Sequence, residues 1–330
     1  MMNVLTIFEN NFYRFINKKI ILVFMIFFIP LMIFGAVYFT NNINAKANIA
    51  LISKNNKFNI DNKSVKIEVV AKEPEMSDLV LNKYDAVIID NGNGTFKVKT
   101  IKSDKFKNSI EKFLKNPSAP IKIEDQNQKK GVGTNILGFL IMIAAVCQIQ
   151  IMLLFPEDRD FGTFKRMLIS PLNPWEYIFA QGLFNFIITF VPIYTAVAAA
   201  KFIFKINMGF GYLGLAGLLS LLIMINTGLA LLIASIFDDI DNASSVGSFI
   251  VTFTSVISGS FYSFTDNSKI LSAVVKAIPY KPYLNLVQGI ENGKSIINYS
   301  SNIAYIFAVS LILFALGVII TRRNLDLGKY

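Results

Sequence analysis

About half of this 330-residue chain lies in stretches that contain no Asp, Glu, Lys or Arg. There are six of them, at 20–45, 131–156, 177–200, 206–237, 242–265 and 295–321, and the shortest has 24 residues. A helix needs roughly 20 apolar residues to cross the hydrocarbon core of a bilayer, so each stretch is long enough to span it. The whole chain is 53% hydrophobic and 16% charged, whereas an ordinary soluble domain carries about 25% charge. A single water-soluble core is therefore excluded. The fold class expected is a polytopic α-helical membrane protein, with six transmembrane helices and an extracellular α+β domain between spans 1 and 2.

Composition removes several chemistries. The chain has no His, which excludes Ser-His-Asp and Cys-His catalysis and His-ligated metal centres. The sole cysteine, Cys147, lies inside an apolar stretch and reads as a small buried hydrophobe. The net charge of +10 raises nucleic acid as a partner, but the surplus is mostly lysine mixed with acids in segment 46–130. That pattern is a solvated surface with some attraction for anionic membrane lipid. No nucleic-acid partner, no catalytic residue and no metal site are expected.

The arginines give the orientation. If the N-terminus is cytoplasmic, the cytoplasmic segments are 1–19, 157–176, 238–241 and 322–330. All five arginines (Arg14, Arg159, Arg166, Arg322 and Arg323) fall in them, as the positive-inside rule requires of short loops. Segment 46–130 holds 17 Lys against 11 acidic residues, but long loops translocate largely regardless of charge, so it does not vote. Lys201, Lys205, Lys269, Lys276, Lys281 and Lys294 run against the bias. Both termini are expected on the cytoplasmic side of the plasma membrane. The first apolar run exceeds the usual 7–15 residues of a signal peptide, so it reads as a retained anchor despite the match Ala45-Lys-Ala47.

The divisions expected are a cytoplasmic interfacial helix at 1–19, span 1 at 20–42, the extracellular domain at 43–133, and spans 2–6 within 134–330. In the first, Val4, Leu5, Phe8, Phe12, Phe15 and Ile16 recur at helical spacing, with Glu9, Asn10, Asn11 and Arg14 on the other face. The second half of the extracellular segment ends in a tether with Pro117 and Pro120. Its earlier part alternates β-like runs (47–52, 65–70, 86–90, 95–101) with helical ones (75–82, 104–114). Span 2 is expected to end at Pro156 and span 3 to be interrupted by Pro192. The stretch 262–294 is expected outside, with a short amphipathic helix at 270–278.

The most informative short segment is 157–176, EDRDFGTFKRMLISPLNPWE. Phe161, Phe164, Met167 and Leu168 make an apolar stripe beside Lys165 and Arg166. Asp158 and Asp160 are expected at the N-terminal end of this short helix, where negative charge suits the dipole. Pro171 and Pro174 then break it. Such a helix, lying along the membrane, is either a docking surface for a cytoplasmic partner or a simple interfacial anchor.

The run Glu157, Asp158, Asp160, Gly162, Thr163, Arg166, Leu168 and Pro171 resembles the acidic-Gly-Thr-basic-Leu-Pro signature of ABC-2-type transporter permeases. An interfacial N-terminal helix, a large domain between the first two spans and a Pro-containing re-entry (Pro279, Pro282) are similar too. The resemblance covers nearly the whole chain, but only 157–171 is motif-specific. Asp160 stands where the family often has Glu, with the charge kept. The resemblance implies that 157–171, Phe161 included, is a coupling helix gripped by a separate ABC ATPase subunit. It implies two permease copies, as a homodimer or with a related chain. It further implies an exporter, of the branch that moves drugs, antimicrobial peptides or lipid-like substrates rather than polysaccharides.

This chain has no ATP site of its own. Gly289–Ser295 has three residues between its glycines where a P-loop has four, so ATP and Mg are expected on the partner. In span 5, Ser245, Ser248, Thr252, Ser255 and Gly259 form a small and hydroxyl-bearing face, a candidate dimer seam or pathway, or ordinary packing. No span contains a carboxylate or lysine, which argues against an ion-coupled carrier. That carrier, and a membrane-anchored sensor or immunity protein binding a ligand outside, are the competing readings.

A cysteine placed at Ser103 should react with a membrane-impermeant thiol reagent on intact cells, and one at Ser170 only after lysis. The opposite pattern would invert the topology.

Overall fold

In a computed structural model, residues 4–43, 47–52, 65–70, 86–90, 96–100, 130–169, 174–260 and 277–328 are described, with 74, 84, 107, 108, 110, 111, 114 and 275. They form two compact units, one of residues 1–38 and 130–330, the other Phe39–Lys129.

The smaller unit contains a four-stranded sheet in the order β2-β1-β3-β4, from β1 (Ala47–Ile52), β2 (Val65–Val69), β3 (Ala86–Asp90) and β4 (Phe96–Lys99). β1 runs parallel to β2 and β3, and β3 pairs antiparallel with β4. Sequence explains the order. The central strands ANIALI and AVIID are apolar on both faces, with Ile49, Leu51 and Ile88 buried in one layer and Ala50 and Val87 in another. The edge strands VKIEV and FKVK alternate apolar with charged residues, and Lys97 and Lys99 flank the buried Val98. The described residues of the expected helix 104–114, including the buried Ile110, are helical. The expected helices 75–82 and 270–278 lie outside the described residues, apart from isolated positions.

The larger unit is helical. It comprises α1 (Val4–Asn17), α2 (Lys19–Ile43), α3 (Val132–Met152), α4 (Leu154–Asp160), α5 (Thr163–Ile169), α6 (Pro174–Ile203), α7 (Tyr212–Ile236), α8 (Ile240–Ile257), α9 (Tyr280–Glu291), a 3-10 turn at Ile296–Tyr299 and α10 (Ser300–Asp326). Helix α3 is apolar all round and buried along most of its length, as a central helix must be. Around it α2 and α10 turn large apolar side chains outward, among them Ile20, Val23, Phe27, Leu311 and Ile319. Exposed apolar surface on this scale marks contact with membrane.

Among the described residues, five helices are long and apolar enough to cross a bilayer: Lys19–Tyr38, Val132–Asp160, Pro174–Ile203, Tyr212–Ile236 and Ile296–Asp326. Of stretch 242–265, expected as a sixth, the residues to Ile257 lie in α8, which is 18 residues long but less apolar than the other five, with Asp241, Asn242, Ser244 and Ser245 in its first turns.

Pro156 and Pro192 act differently from the sequence expectation. Span 2 does not end at Pro156, because that residue falls in the first turn of α4, where a missing amide costs nothing. The helical path continues through Leu153, whose dihedrals stay helical, to Asp160. Likewise α6 continues through Pro192. Pro279 and Pro282 sit at the cap and first turn of α9, a helix buried by Tyr280, Tyr283, Leu284, Leu286 and Val287 within the stretch expected outside. The helix α10 also runs past Arg322 and Arg323 to Asp326.

α7 and α10 meet through small residues. A β-carbon on Gly228 would lie 2.8 Å from the Ser310 carbonyl oxygen, and one on Gly317 would lie 2.9 Å from the Leu231 side chain. Thr321 donates to Ser235 across the same seam at 3.0 Å. Gly228→Ala should therefore destabilise the protein by about 1–3 kcal/mol through overpacking. Gly217→Ala, in open space on the same helix, should be neutral or stabilising, by up to about 1 kcal/mol. Unfolding in mixed micelles reads both.

Candidate functional site

Helix α4 continues the central helix beyond Leu153 and carries Glu157, Asp158 and Arg159 on successive positions. The two carboxylates are held from α1 and α6, and Arg159 from α7. Arg14 of α1 bridges the two carboxylates, from Nη2 to Glu157 Oε2 at 3.1 Å and from Nη1 to Asp158 Oδ1 at 2.7 Å. Lys18 pairs with the other Glu157 oxygen. Asp158 is 2% exposed, and its Oδ2 accepts from the Tyr177 hydroxyl and, at 3.4 Å, from Gln181 Nε2. Gln181 also donates to the Tyr177 oxygen at 2.7 Å and accepts from Asn11 of α1 at 3.0 Å. The result is a clamp of α1, α4 and α6 in which both Asp158 oxygens are satisfied, as a buried carboxylate requires.

Arg159 points the other way. Its Nη2 donates to the Ala234 and Phe237 carbonyls, both at 2.7 Å, at the end of α7. Those are carbonyls that a helix C-terminus leaves unpaired, and a cation there also suits the dipole. Its guanidinium lies 4.8 Å from the centre of the Phe155 ring.

The chain then reverses. Gly162 has φ of +64° and its amide donates to the Arg159 carbonyl at 2.9 Å, a left-handed helix stop. A β-carbon there would have open space, so it is the dihedral, not crowding, that favours glycine. Helix α5 follows. Phe164 anchors it, fully buried and set edge-on to Phe155 at 5.6 Å and tilted against Tyr177 at 4.9 Å. Arg166 folds back over the turn, donating to the Phe161 carbonyl and the Thr163 hydroxyl, both at 3.3 Å. Asp160, Phe161, Lys165 and Arg166 are exposed, Phe161 by 71%.

These positions revise the expected layout of 157–171. Asp158 and Asp160 do not open the short helix; they close α4, because the first helix runs four residues past Pro156. Phe161 and Phe164 do not share a stripe, since Phe161 lies in the turn and Phe164 on α5. The segment divides into an inward part (Glu157, Asp158, Arg159, Phe164) and an outward part (Asp160, Phe161, Lys165, Arg166). Leu168 lies within α5, and Pro171 lies outside the described residues.

The expected face of α8 is also divided. Ser245 is exposed, Ser248 and Thr252 half-buried, and Ser255 and Gly259 buried. The helix packs inward through Ala243, Gly247, Val251 and Ser255. Ser255 donates to its own helix, at the Val251 carbonyl. Gly259 lies past the helix end with φ of +86°.

Sequence reading placed Asn11 and Arg14 on the solvated face of an amphipathic helix. Asn11 is instead 1% exposed and Arg14 serves the clamp, while Leu5, Phe12, Tyr13 and Ile16 point out. The signal for the partner of Asn11 is a polar residue at every fourth position of α6. Tyr177, Gln181, Asn185 and Thr189 are all buried. Asn185 extends the pattern to the middle of the unit, where Gln148 donates to it at 2.9 Å and to Thr227 at 2.7 Å.

Removing Arg14 leaves a buried carboxylate without its cation, so Arg14→Ala should cost about 3–5 kcal/mol. Lys18→Ala, at the more exposed edge, should cost under about 1 kcal/mol. Equal losses in a denaturation series would show that the clamp does not centre on Arg14 and Asp158.

No curated protein matches the chain. Its residues 106–292 match the family described as ABC-2 type transporter, a span that takes in α3 to α9 with the Phe161–Gly162 turn and the clamp residues of α4 and α6, but not those of α1. Members are membrane components of transporters and typically work with an ATPase subunit. The chain is a multi-pass membrane protein that belongs to the ABC-2 type transporter family.

Proposed function

We propose that this chain is the permease subunit of an exporter and that a separate ATPase docks on the turn between α4 and α5. The observation that carries the reading is the division of 157–169. Phe161, Lys165 and Arg166 stand exposed on a turn whose base is fixed by Phe164 and by the Arg14–Asp158 clamp. A surface that transmits force needs both features, an exposed contact and a rigid attachment to the membrane helices. An apolar anchor beside two cations suits a partner groove that offers an apolar pocket rimmed by carboxylates.

In this reading the chain crosses the membrane six times with α8 as the fifth span, both termini are cytoplasmic, and the 39–129 unit is extracellular. Two permeases assemble, with the outward edge of α8 at Ser245, Ser248 and Thr252 as the seam or the pathway. ATP and Mg bind the partner, whose closure moves α4 and α5 and switches access. The cargo class is a drug, an antimicrobial peptide or a lipid-like molecule.

Phe161→Asp and Arg166→Glu should each abolish co-purification of the ATPase and ATP-dependent transport while leaving the permease folded. Gly162→Pro, which cannot adopt the left-handed dihedral, should do the same. Unchanged assembly and transport in all three would refute the docking assignment. Transport that survives ATP depletion and collapses with an ion gradient would favour a secondary carrier.

A further inference from the structure

The rod formed by α3 and α4 is fastened at its other end as well. The carboxylate of Glu291, the last residue of α9, accepts from the Gly133 and Thr134 amides at 2.6 and 2.8 Å and from the Thr134 hydroxyl at 2.5 Å. Helix α3 has no side-chain cap of its own at Gly131. Glu291 thus satisfies amides that a helix start leaves unpaired and places its charge at the positive end of the dipole. One residue before Gly131, Lys130 Nζ donates to the Gly259 and Ser260 carbonyls, just past the end of α8. The start of α3 is therefore tied to α9 by an anion and to α8 by a cation, each bound to backbone. The surroundings are shaped to Glu291: a β-carbon on Gly209, where φ is +71°, would lie 2.5 Å from its carbonyl oxygen.

Three features distinguish this arrangement from a fixed cap. Lys130 and Glu291 are only half-buried, so water can replace their partners. Burial first, and the Lys281 charge second, push Lys130 down to about 8; its ammonium is held against the carbonyls under a desolvation penalty that opening relieves. Finally, α3 runs unbroken from this point to Leu153, and α4 carries on to the clamp and the Phe161 turn. A displacement of α4 is delivered along the rod to this fastening, past a stretch held by close packing such as Gly247 against Ile149 and by the fully buried Gln148 bonds to Asn185 and Thr227.

We propose that Glu291 and Lys130 form a releasable latch on the start of α3, closed in this structure and opened when the partner ATPase binds nucleotide. The trigger rests on the transporter reading given above; the latch does not.

Amide hydrogen exchange over residues 132–137, on the full chain with its ATPase in lipid nanodiscs, tests the proposal. Glu291→Ala should speed exchange at Gly133 and Thr134 at least tenfold and Glu291→Gln by a smaller factor, with the exposed Lys294→Ala unchanged. A non-hydrolysable ATP analogue should accelerate the same amides about tenfold in the unaltered chain, an arm that needs no variant, and add nothing in Glu291→Ala. Unchanged exchange in Glu291→Ala would refute the latch. Exchange indifferent to nucleotide with the ATPase bound would make the contact a fixed cap and the proposal wrong. Failure of the ATPase to co-purify would remove the trigger and the transporter reading together, while the Glu291→Ala comparison on the permease alone still decides the latch.

Discussion

The arrangement depends first on one arginine shared by two adjacent carboxylates. Arg14 reaches from an N-terminal amphipathic helix to Glu157 and Asp158 at the end of the central membrane rod. Without it α1 would keep on α6 only the Asn11–Gln181 hydrogen bond and apolar contacts such as Phe8 and Phe15 against Phe184, and apolar contacts do not fix register. Buried ion pairs add little net stability once desolvation is counted. Here the pair is completed by Tyr177, Gln181 and Asn11, so that its geometry is specified from three helices at once. The polar groups determine where α1 and α4 sit; the apolar groups supply the burial.

That division of labour recurs at the start of α3. There a carboxylate holds helix amides and an ammonium holds carbonyls just past the end of α8. Between the two fastenings the rod is held by packing such as Gly247 against Ile149 and by the buried Gln148 bonds to Asn185 and Thr227, while α7 and α10 approach through Gly228 and Gly317, which is how helices associate where water offers no hydrophobic drive. A rod whose two ends are held by polar contacts that water can replace is a suitable element for relaying movement across a membrane.

Much of this was legible in the sequence and some of it was not. The charge-free stretches correspond to long helices because hydrocarbon demands both apolarity and length, and the four strands fall on their β-like runs because β-branched residues there alternate with turn signals. Prolines misled at 156 and 192: Pro156 falls in a first turn, where it costs no hydrogen bond, and α6 runs on through Pro192, neither of which the sequence reveals. Asn11 and Arg14 looked solvated because amphipathic periodicity separates polar from apolar faces but cannot show that a polar face meets another polar face. The stripe Tyr177, Gln181, Asn185 and Thr189 carried that information at a spacing of four. In segment 157–171 the residue types identified the family, while the assignment of each side chain inward or outward required the bend at Gly162.

The central claim is that the turn held by this clamp is where force enters the membrane helices. A photo-crosslinking amino acid in place of Phe161, in membranes containing the complete transporter, tests it most directly. The account predicts an adduct between this chain and the ATPase whose yield changes when nucleotide is added. Adducts with lipid alone, at full transport activity, would contradict it.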